Sequence, residues 1–226
     1  MPVPRFSIVM PALDEAAGIT ATLLALAHWR GAGDEVIVVD GGSRDGTAEQ
    51  ARPLADTVLA GPRGRARQMN AGAAAARGEW LLFLHADTQL PAAARAAIEA
   101  AAQRGARWWR FDVRIAGASA WFPLIAALMN QRSRWTGIAT GDQAIFVQRQ
   151  LFLQLGGYAD QPLMEDIELC RRLRVLARPA CLRERVTTSG RRWETRGVWR
   201  TVWLMWRLRW RYWRGAAPEE LARVYR

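Results

Sequence analysis

The 226-residue sequence predicts an α/β protein with a mainly parallel central sheet and helices on both of its faces. Three observations carry that expectation. Short runs of Val, Ile, Leu and Phe alternate with longer alanine- and arginine-containing segments of helical spacing. Val36-Ile37-Val38-Val39 and Leu81-Leu82-Phe83-Leu84 are continuously apolar, as strands covered on both faces are. Both runs close on an aspartate, Asp40 in VIVVDGGSRDGT and Asp87 in WLLFLHADT.

The elements follow in order. Residues 6–10 are the first predicted strand, ended by Pro11, which lacks a ladder donor. Residues 16–29 have helical spacing, 36–40 form the second strand, and Gly41-Gly42-Ser43 makes a turn. A short helix over 47–54 opens at Asp45-Gly46-Thr47, a third strand covers 57–59, a helix 65–76 and a fourth strand 80–84. Pro91 opens an alanine-rich helix over 92–103, since proline suits a first helical turn. Residues 108–115 and 143–147 read as strands and 165–176 as a helix. After about Ser189, Trp and Arg dominate, which divides the chain into a catalytic-type domain over 1–190 and a helical extension over 191–226.

Composition narrows the function classes. Half the residues are hydrophobic, enough for a core and against wholesale disorder. The net charge of +11 comes entirely from arginine and favours anionic partners. Cys170 and Cys181 stand in no CxxC or Cys/His cluster, so zinc and redox motifs are absent. MPVPRFSIVMPA lacks the basic start and long apolar run of a signal peptide. The apolar stretch over 120–129 contains Pro123 and falls well short of the ~20 residues a spanning helix needs. A cytoplasmic protein is expected.

In open α/β sheets, ligands bind beyond the carboxyl ends of the strands, where Asp40 and Asp87 are delivered. Taken singly, each acidic motif also has a plain structural reading. Asp40 suits a turn cap before Gly41-Gly42, Asp142 suits a turn, and Glu165-Asp166 suits a helix amino terminus. A carboxylate anchoring Mg2+ or Mn2+ against a diphosphate is the chemistry that unites them.

SIVMPALDE, VIVVDGGSRDGT, LLFLHADT and LMEDIELCRRL, in that order between Ser7 and Leu173, resemble the motifs of the family 2 glycosyltransferases with the GT-A fold. GRARQMNAGA, FLHADTQLP, GDQAIFV and LMEDIEL further resemble a bacterial subgroup found near radical-SAM and selenium-related genes. The resemblance implies an inverting, metal-assisted transferase that uses a nucleoside-diphosphate sugar, UDP-sugar first among them. It places Asp40 on the nucleotide base, with Pro11, Ala12 and Glu15 lining the same pocket. It makes Asp87 the metal ligand at the end of a DxD-type motif. His85 replaces the first acid of that motif, with Ala86 between, and could contact ribose, ligate metal or pack. Asp166 aligns with the catalytic base, beside Glu165. Gly141-Asp142-Gln143 resembles the acceptor-side loop, and Gly190-Arg191-Arg192-Trp193 echoes a QxxRW-like element with Arg192 on the diphosphate and Trp193 on the acceptor side. Arg67 and Asn70, with Arg63, Arg65 and Gln68, contact phosphate or nucleoside, or form a solvated basic face.

Trp199, Trp203, Trp206, Trp210 and Trp213 recur at gaps of four and three, a single stripe on a helix over 198–214 stopped by Gly215 and Pro218. Leu204, Met205, Leu208 and Tyr212 fall on the opposite side. One face docks on the catalytic domain. The other lies in a membrane interface, pairs with a second subunit in a homodimer, or is buried. The expected partners are a nucleotide-sugar donor, an acceptor such as a lipid phosphate or a small molecule, and the inner face of the cell membrane. Nucleic acid is not expected, because no nucleic-acid motif accompanies the charge. A nicotinamide dehydrogenase is excluded by PALDE in place of GxGxxG. An inactive GT-A-like membrane scaffold is the first alternative to an enzyme, and a nucleic-acid-binding protein, suggested by the charge and the Trp/Arg tail, ranks behind it.

Overall fold

The chain alternates strand and helix wherever the apolar pattern does. The structure is a computed structural model that describes residues 4–225, so the outermost residues of the two predicted domains lie outside the described residues. The first half comprises β1 (Phe6–Ala12), α1 (Ile19–Ala25), α2 (Ala27–Gly31), β2 (Glu35–Asp40), α3 (Thr47–Ala51), β3 (Thr57–Ala60), α4 (Arg65–Ala75) and β4 (Trp80–Phe83). It continues through β5 (Thr88–Gln89), α5 (Ala94–Gln103), β6 (Trp108–Ala116), α6 (Phe122–Thr136), a 3-10 turn at Gly141–Gln143, β7 (Ile145–Gln148) and α7 (Arg149–Gln154). Then come α8 (Glu165–Leu176), β8 (Ala180–Ser189), α9 (Arg191–Arg196), α10 (Val198–Trp213) and α11 (Pro218–Tyr225).

One eight-stranded sheet runs in the order β3-β2-β1-β4-β7-β6-β8-β5. β1 pairs in parallel with β2 and β4, and β2 with β3. β7 runs antiparallel between β4 and β6, β6 and β8 are parallel, and β5 is antiparallel to β8. The mainly parallel sheet with helices on both faces is therefore as expected. Alternate residues face opposite sides. Val9, Ile37, Val39, Leu81 and Phe83 pack with α4, α7 and α8. Ile8, Met10, Val36, Val38 and Leu82 pack with α1, α2 and α5.

Several elements differ from expectation for identifiable reasons. β1 runs through Pro11 to Ala12. Leu84 N–H donates to Val9 O, so Val9 and Pro11 turn their amide positions toward β4, whose ladder ends at Val9–Phe83; the missing donor of Pro11 thus costs no ladder bond. The helix expected over 16–29 is two, broken at Leu26. α6 was not among the expected helices, and Pro123 sits in its first turn, where its absent N–H has no intrahelical partner to lose. β8 was hidden because Arg183 and Glu184 have no partners in β6, the register jumping from Phe111–Leu182 to Asp112–Arg185. Pro218 starts α11 instead of only ending the preceding helix.

The tail folds back. Leu204, Met205, Leu208 and Tyr212 of α10 and Leu221 and Ala222 of α11 form a small core with Leu163, Met164 and Ile167 at the start of α8. The docking face is thus the leucine–methionine face. The tryptophans stay outside, with Trp206 75% and Trp213 77% exposed. Among the described residues, no helix is long and apolar enough to cross a membrane.

α4 lies so close to the sheet that a Cβ on Gly72 would collide with Val9 Cγ1 and come within 3.1 Å of Val39 Cγ2. Gly72→Ala should therefore destabilise the fold by about 1–2 kcal/mol, overpacking outweighing the helix propensity gained. Urea denaturation checks this, and a variant as stable as the parent would contradict the close contact.

Candidate active site

Every parallel strand of the first half delivers its carboxyl end to one edge, and the turns there are tied down from within. Gln68 of α4 donates through Nε2 to Ala12 O at 2.7 Å and to Val39 O at 2.8 Å, clamping the ends of β1 and β2. Gly41 leaves room for that amide, since a Cβ there would stand 2.9 Å from Gln68 Nε2. Asp40 accepts the N–H groups of Gly42 and Ser43 and the Ser43 hydroxyl, so its carboxylate holds the turn after β2.

A cleft of about 1080 Å³ opens at this edge. It is lined at one end by Pro11, Glu15, Arg65, His85, Ala86 and Asp87, and beyond them by Gly141, Asp142, Glu165, Asp166, Arg192 and Trp193. Of the sequence-predicted residues, these ten besides Arg65 and Arg192 converge, with Arg192 making eleven. Ala12, Asp40 and Gln143 lie behind the cleft wall. Gln143 is fully buried and donates to Ser133 Oγ at 3.0 Å. Arg67 and Asn70 face elsewhere. Arg67 pairs with Asp160 at 2.6 Å, and Asn70 exchanges two hydrogen bonds with the Tyr158 backbone, at 2.8 and 2.9 Å. The neighbour that enters the cleft is Arg65, 3.7 Å from Glu165 Oε1.

The acidic groups come from three elements. Asp87 follows β4 and is half-buried; its carboxylate accepts the Thr88 hydroxyl at 3.3 Å, and no arginine among the described residues stands within ion-pairing distance. Asp142 is carried by the 3-10 turn, 3.5 Å from His85 Nδ1. Burial works against the Asp142 charge, but the His85 contact, with Arg65 and Arg192, holds its carboxyl below the usual range. Glu165 and Asp166 open α8, where the helix dipole favours negative charge. Met164 just before them takes φ 65°, a left-handed conformation that costs a non-glycine residue on the order of 1–3 kcal/mol. Its side chain is buried in the tail's small core, which holds that turn.

Gly141 joins the three elements. Its N–H donates to Asp166 Oδ2 at 2.9 Å. Its Cα face is covered by the His85 imidazole, and a Cβ there would overlap His85 Nε2 and Cε1. His85 Nε2 is buried without a hydrogen-bond partner. His85 is therefore packed on the turn, with one nitrogen toward Asp142.

Charge balance follows from burial and neighbours. Burial, and then the Glu165 charge, push Asp166 up to about 6, against the Gly141 and Ile167 N–H groups that favour its anion. Burial and the nearby Asp87 raise Glu15, which Arg191 at 3.4 Å opposes. Burial works against the Arg65 charge, but Glu165, Asp142, Asp166 and Asp87 outweigh it and raise the guanidinium above its ordinary value. Among the described residues no set of three or more His, Cys, Asp or Glu side chains could hold a metal alone. A hard divalent cation fits Asp87 nonetheless, because such ions accept one carboxylate and complete their shells with water and phosphate oxygens.

Arg132 of α6 and Arg209 of α10 also line the cleft, with no motif to announce them. The 121, 124, 128, 135 spacing of Trp121, Leu124, Leu128 and Trp135 was the available sign of α6.

A family model described as Glycosyl transferase family 2 matches residues 7–122. Among curated proteins, a PGL/p-HBAD biosynthesis glycosyltransferase of Mycobacterium tuberculosis is 38% identical over 99 residues, which is 40% of this chain and 38% of that protein. The chain thus matches well under half the length of that relative. Among solved structures, the mannosyltransferase PcManGT from Pyrobaculum calidifontis, in complex with GDP-Man and Mn2+, has a TM-score of 0.66 at 20% identity, covering 99% of this chain and 68% of that one. S. aureus TarS 1–349 in complex with UDP-GlcNAc has a TM-score of 0.64 at 17% identity, covering 82% of this chain and 58% of that one. These likenesses establish the GT-A fold.

The native pKa of Asp166 lies above the ordinary 3.8, so between roughly pH 4 and 6 the folded chain keeps a proton that the unfolded chain releases. This group's contribution therefore lowers stability as pH rises through that window. A carboxyl resonance titrating near pH 6 is expected by NMR, absent in Asp166→Asn and moved to lower pH in Glu165→Gln. A midpoint near 4 would contradict the burial assigned to it.

Proposed function

Because the chain belongs to glycosyl transferase family 2, we propose that it transfers a sugar from a nucleoside-diphosphate donor, a UDP-sugar foremost, to an acceptor bound on the Asp166 side of the cleft. The observation that carries this is the convergence of Asp87, which no arginine among the described residues pairs with, with Asp142, Glu165 and Asp166 along one cleft at the carboxyl edge of the parallel strands. The catalytic domain is assigned to 1–190 and the extension to 191–226. Within the family, GRARQMNAGA and LMEDIEL favour the radical-SAM/selenodomain-associated subgroup.

Roles follow from position. Pro11 and Glu15 border the nucleoside, Ala12 supports them from outside the cleft lining, and Asp40 serves it by fixing the turn after β2. Asp87 would hold Mg2+ or Mn2+, which when bound neutralises charge developing on the leaving diphosphate. Arg192 and Arg65 supply guanidinium groups to the phosphates. Asp166, on the face opposite the leaving group, takes the proton of a hydroxyl acceptor or orients an anionic one, and the displacement inverts the anomeric centre. Gly141 and Asp142, with Trp193, border the acceptor. Arg67, Asn70 and Gln143 act by holding α4 and the 3-10 turn in place.

The tryptophan stripe of α10 is read as a contact with the inner face of the cell membrane. Its helix carries no acidic residue, and Arg207 and Arg214 lie 5.3 and 5.1 Å over the Trp203 and Trp210 rings. That composition favours an anionic lipid interface over a homodimer of the same basic face.

Donor hydrolysis tests the assignment, with water in the acceptor's place. Turnover of a UDP- or GDP-sugar with Mn2+ should fall at least ~100-fold in Asp87→Ala and should rise with pH through about 6 as Asp166 ionises. Hydrolysis unchanged by Asp87→Ala would overturn the role of that carboxylate, and no turnover of any sugar nucleotide would favour an inactive scaffold.

A further inference from the structure

The cleft does not end at Asp166. It continues between two helices whose facing sides are apolar and exposed: Leu124, Leu128 and Trp135 of α6, and Trp206, Trp210 and Trp213 of α10. Trp121 and Trp199 meet edge to face at 4.9 Å and join the two helices. Large apolar side chains seldom line an open cleft in a soluble domain unless something covers them.

This vestibule holds two arginines with unpartnered donors. Arg132 Nε and Nη2 and Arg209 Nε are buried, without a hydrogen-bond partner among the described residues. A guanidinium N–H left buried and unpaired keeps its full desolvation cost, so a ligand acceptor atom is the economical solution. Arg132 stands near Asp166 and Asp142, whose charges pull against the burial that lowers its pKa. Arg209 is separate from the other arginines of α10. On a 100° helical wheel it falls on the cleft side of the tryptophan stripe, while Arg200, Arg207, Arg211 and Arg214 fall on the far side, where Arg211 pairs with Glu220. An anion approaching Asp142, Glu165 and Asp166 needs cations on its other side, and these two supply them.

Resting on the transferase reading above, we propose that the acceptor is a long-chain lipid monophosphate, its phosphate held by Arg132 and Arg209 and its hydrocarbon chain lying between the α6 and α10 stripes. One phosphate oxygen forms the new bond to the anomeric carbon. The bond from that carbon to the diphosphate oxygen breaks, and its electron pair leaves with the nucleoside diphosphate. The acceptor oxygen already carries charge, so no proton is removed and Asp166 orients the attacking group. The vestibule explains why the tail packs on Leu163 and Met164: the helix that guides the lipid is fixed to the turn carrying Glu165 and Asp166.

The test is binding of farnesyl phosphate to the full chain, followed by tryptophan fluorescence, beside farnesol, inorganic phosphate and phosphatidylglycerol vesicles. Farnesyl phosphate should bind at least tenfold tighter than farnesol or phosphate. Arg132→Gln and Arg209→Gln should each cost at least tenfold, and Trp206→Ser with Trp135→Ser should weaken the chain's contribution, all with unfolding midpoints near the parent's. Arg104→Gln, exposed at the residue that follows α5, serves as the control for lost charge. Equal binding of farnesol and farnesyl phosphate, or indifference to both arginine variants, would overturn the proposal. So would binding to the vesicles alone, which would make the stripes a membrane contact only. Nucleotide-sugar binding measured in parallel separates the two readings: if it persists while farnesyl phosphate fails, only the lipid acceptor falls.

Discussion

Mutual repulsion among carboxylates is the constraint around which the rest of this cleft is arranged. Glu15, Asp87, Asp142, Glu165 and Asp166 share one partly desolvated space. Like charges brought together there must be offset or neutralised. The sheet edge supplies the positions, α4 answers with Arg65, and α9 with Arg191 and Arg192. Asp166 has its carboxyl pushed up to about 6 by burial and by its neighbour Glu165. Among the described residues no arginine pairs with Asp87, which leaves its carboxylate open to a cation. The strong positive charge of the chain is thus partly an internal matter, a counterweight to its own acids.

Gly141 makes this arrangement compact. One residue gives its N–H to Asp166 and its bare Cα face to His85, and so sets the spacing between the turn after β4, the 3-10 turn and α8. His85, which stands where relatives of the motif carry an acid, finds its place through that contact and through Asp142. A histidine in this position braces the turn that carries Gly141 and Asp142.

Much of the frame was legible because its signals are local. The apolar runs of β2 and β4 and the aspartates that close them need only the strand period and the chemistry of turns, and α8 begins and ends where its spacing said. What was hidden depends on partners far along the chain. Pro11 is harmless only because β4 has already ended beside it. Pro123 is harmless only because α6 starts one residue earlier. β8 is interrupted by a bulge that β6 defines. The site divides the same way. Asp87, Asp142 and Asp166 announced themselves by motif, whereas Arg67 and Asn70 sit among phosphate-like neighbours in sequence yet are claimed by Asp160 and Tyr158 in space. Arg132 and Arg209 carry no motif at all, and only the folded tail reveals that their N–H groups are buried and unpaired.

The tail joins these parts, because the helix that bears the tryptophans also buries Leu163 and Met164 beneath the acidic turn. Recognition of a sugar nucleotide remains the claim on which the roles of all these residues depend. A thermal-shift screen of UDP-, GDP- and dTDP-sugars, with and without Mn2+, addresses it most directly. A rise in the unfolding midpoint with at least one sugar nucleotide, larger when Mn2+ is present, is the expected result. No stabilisation by any nucleotide under either condition would contradict it.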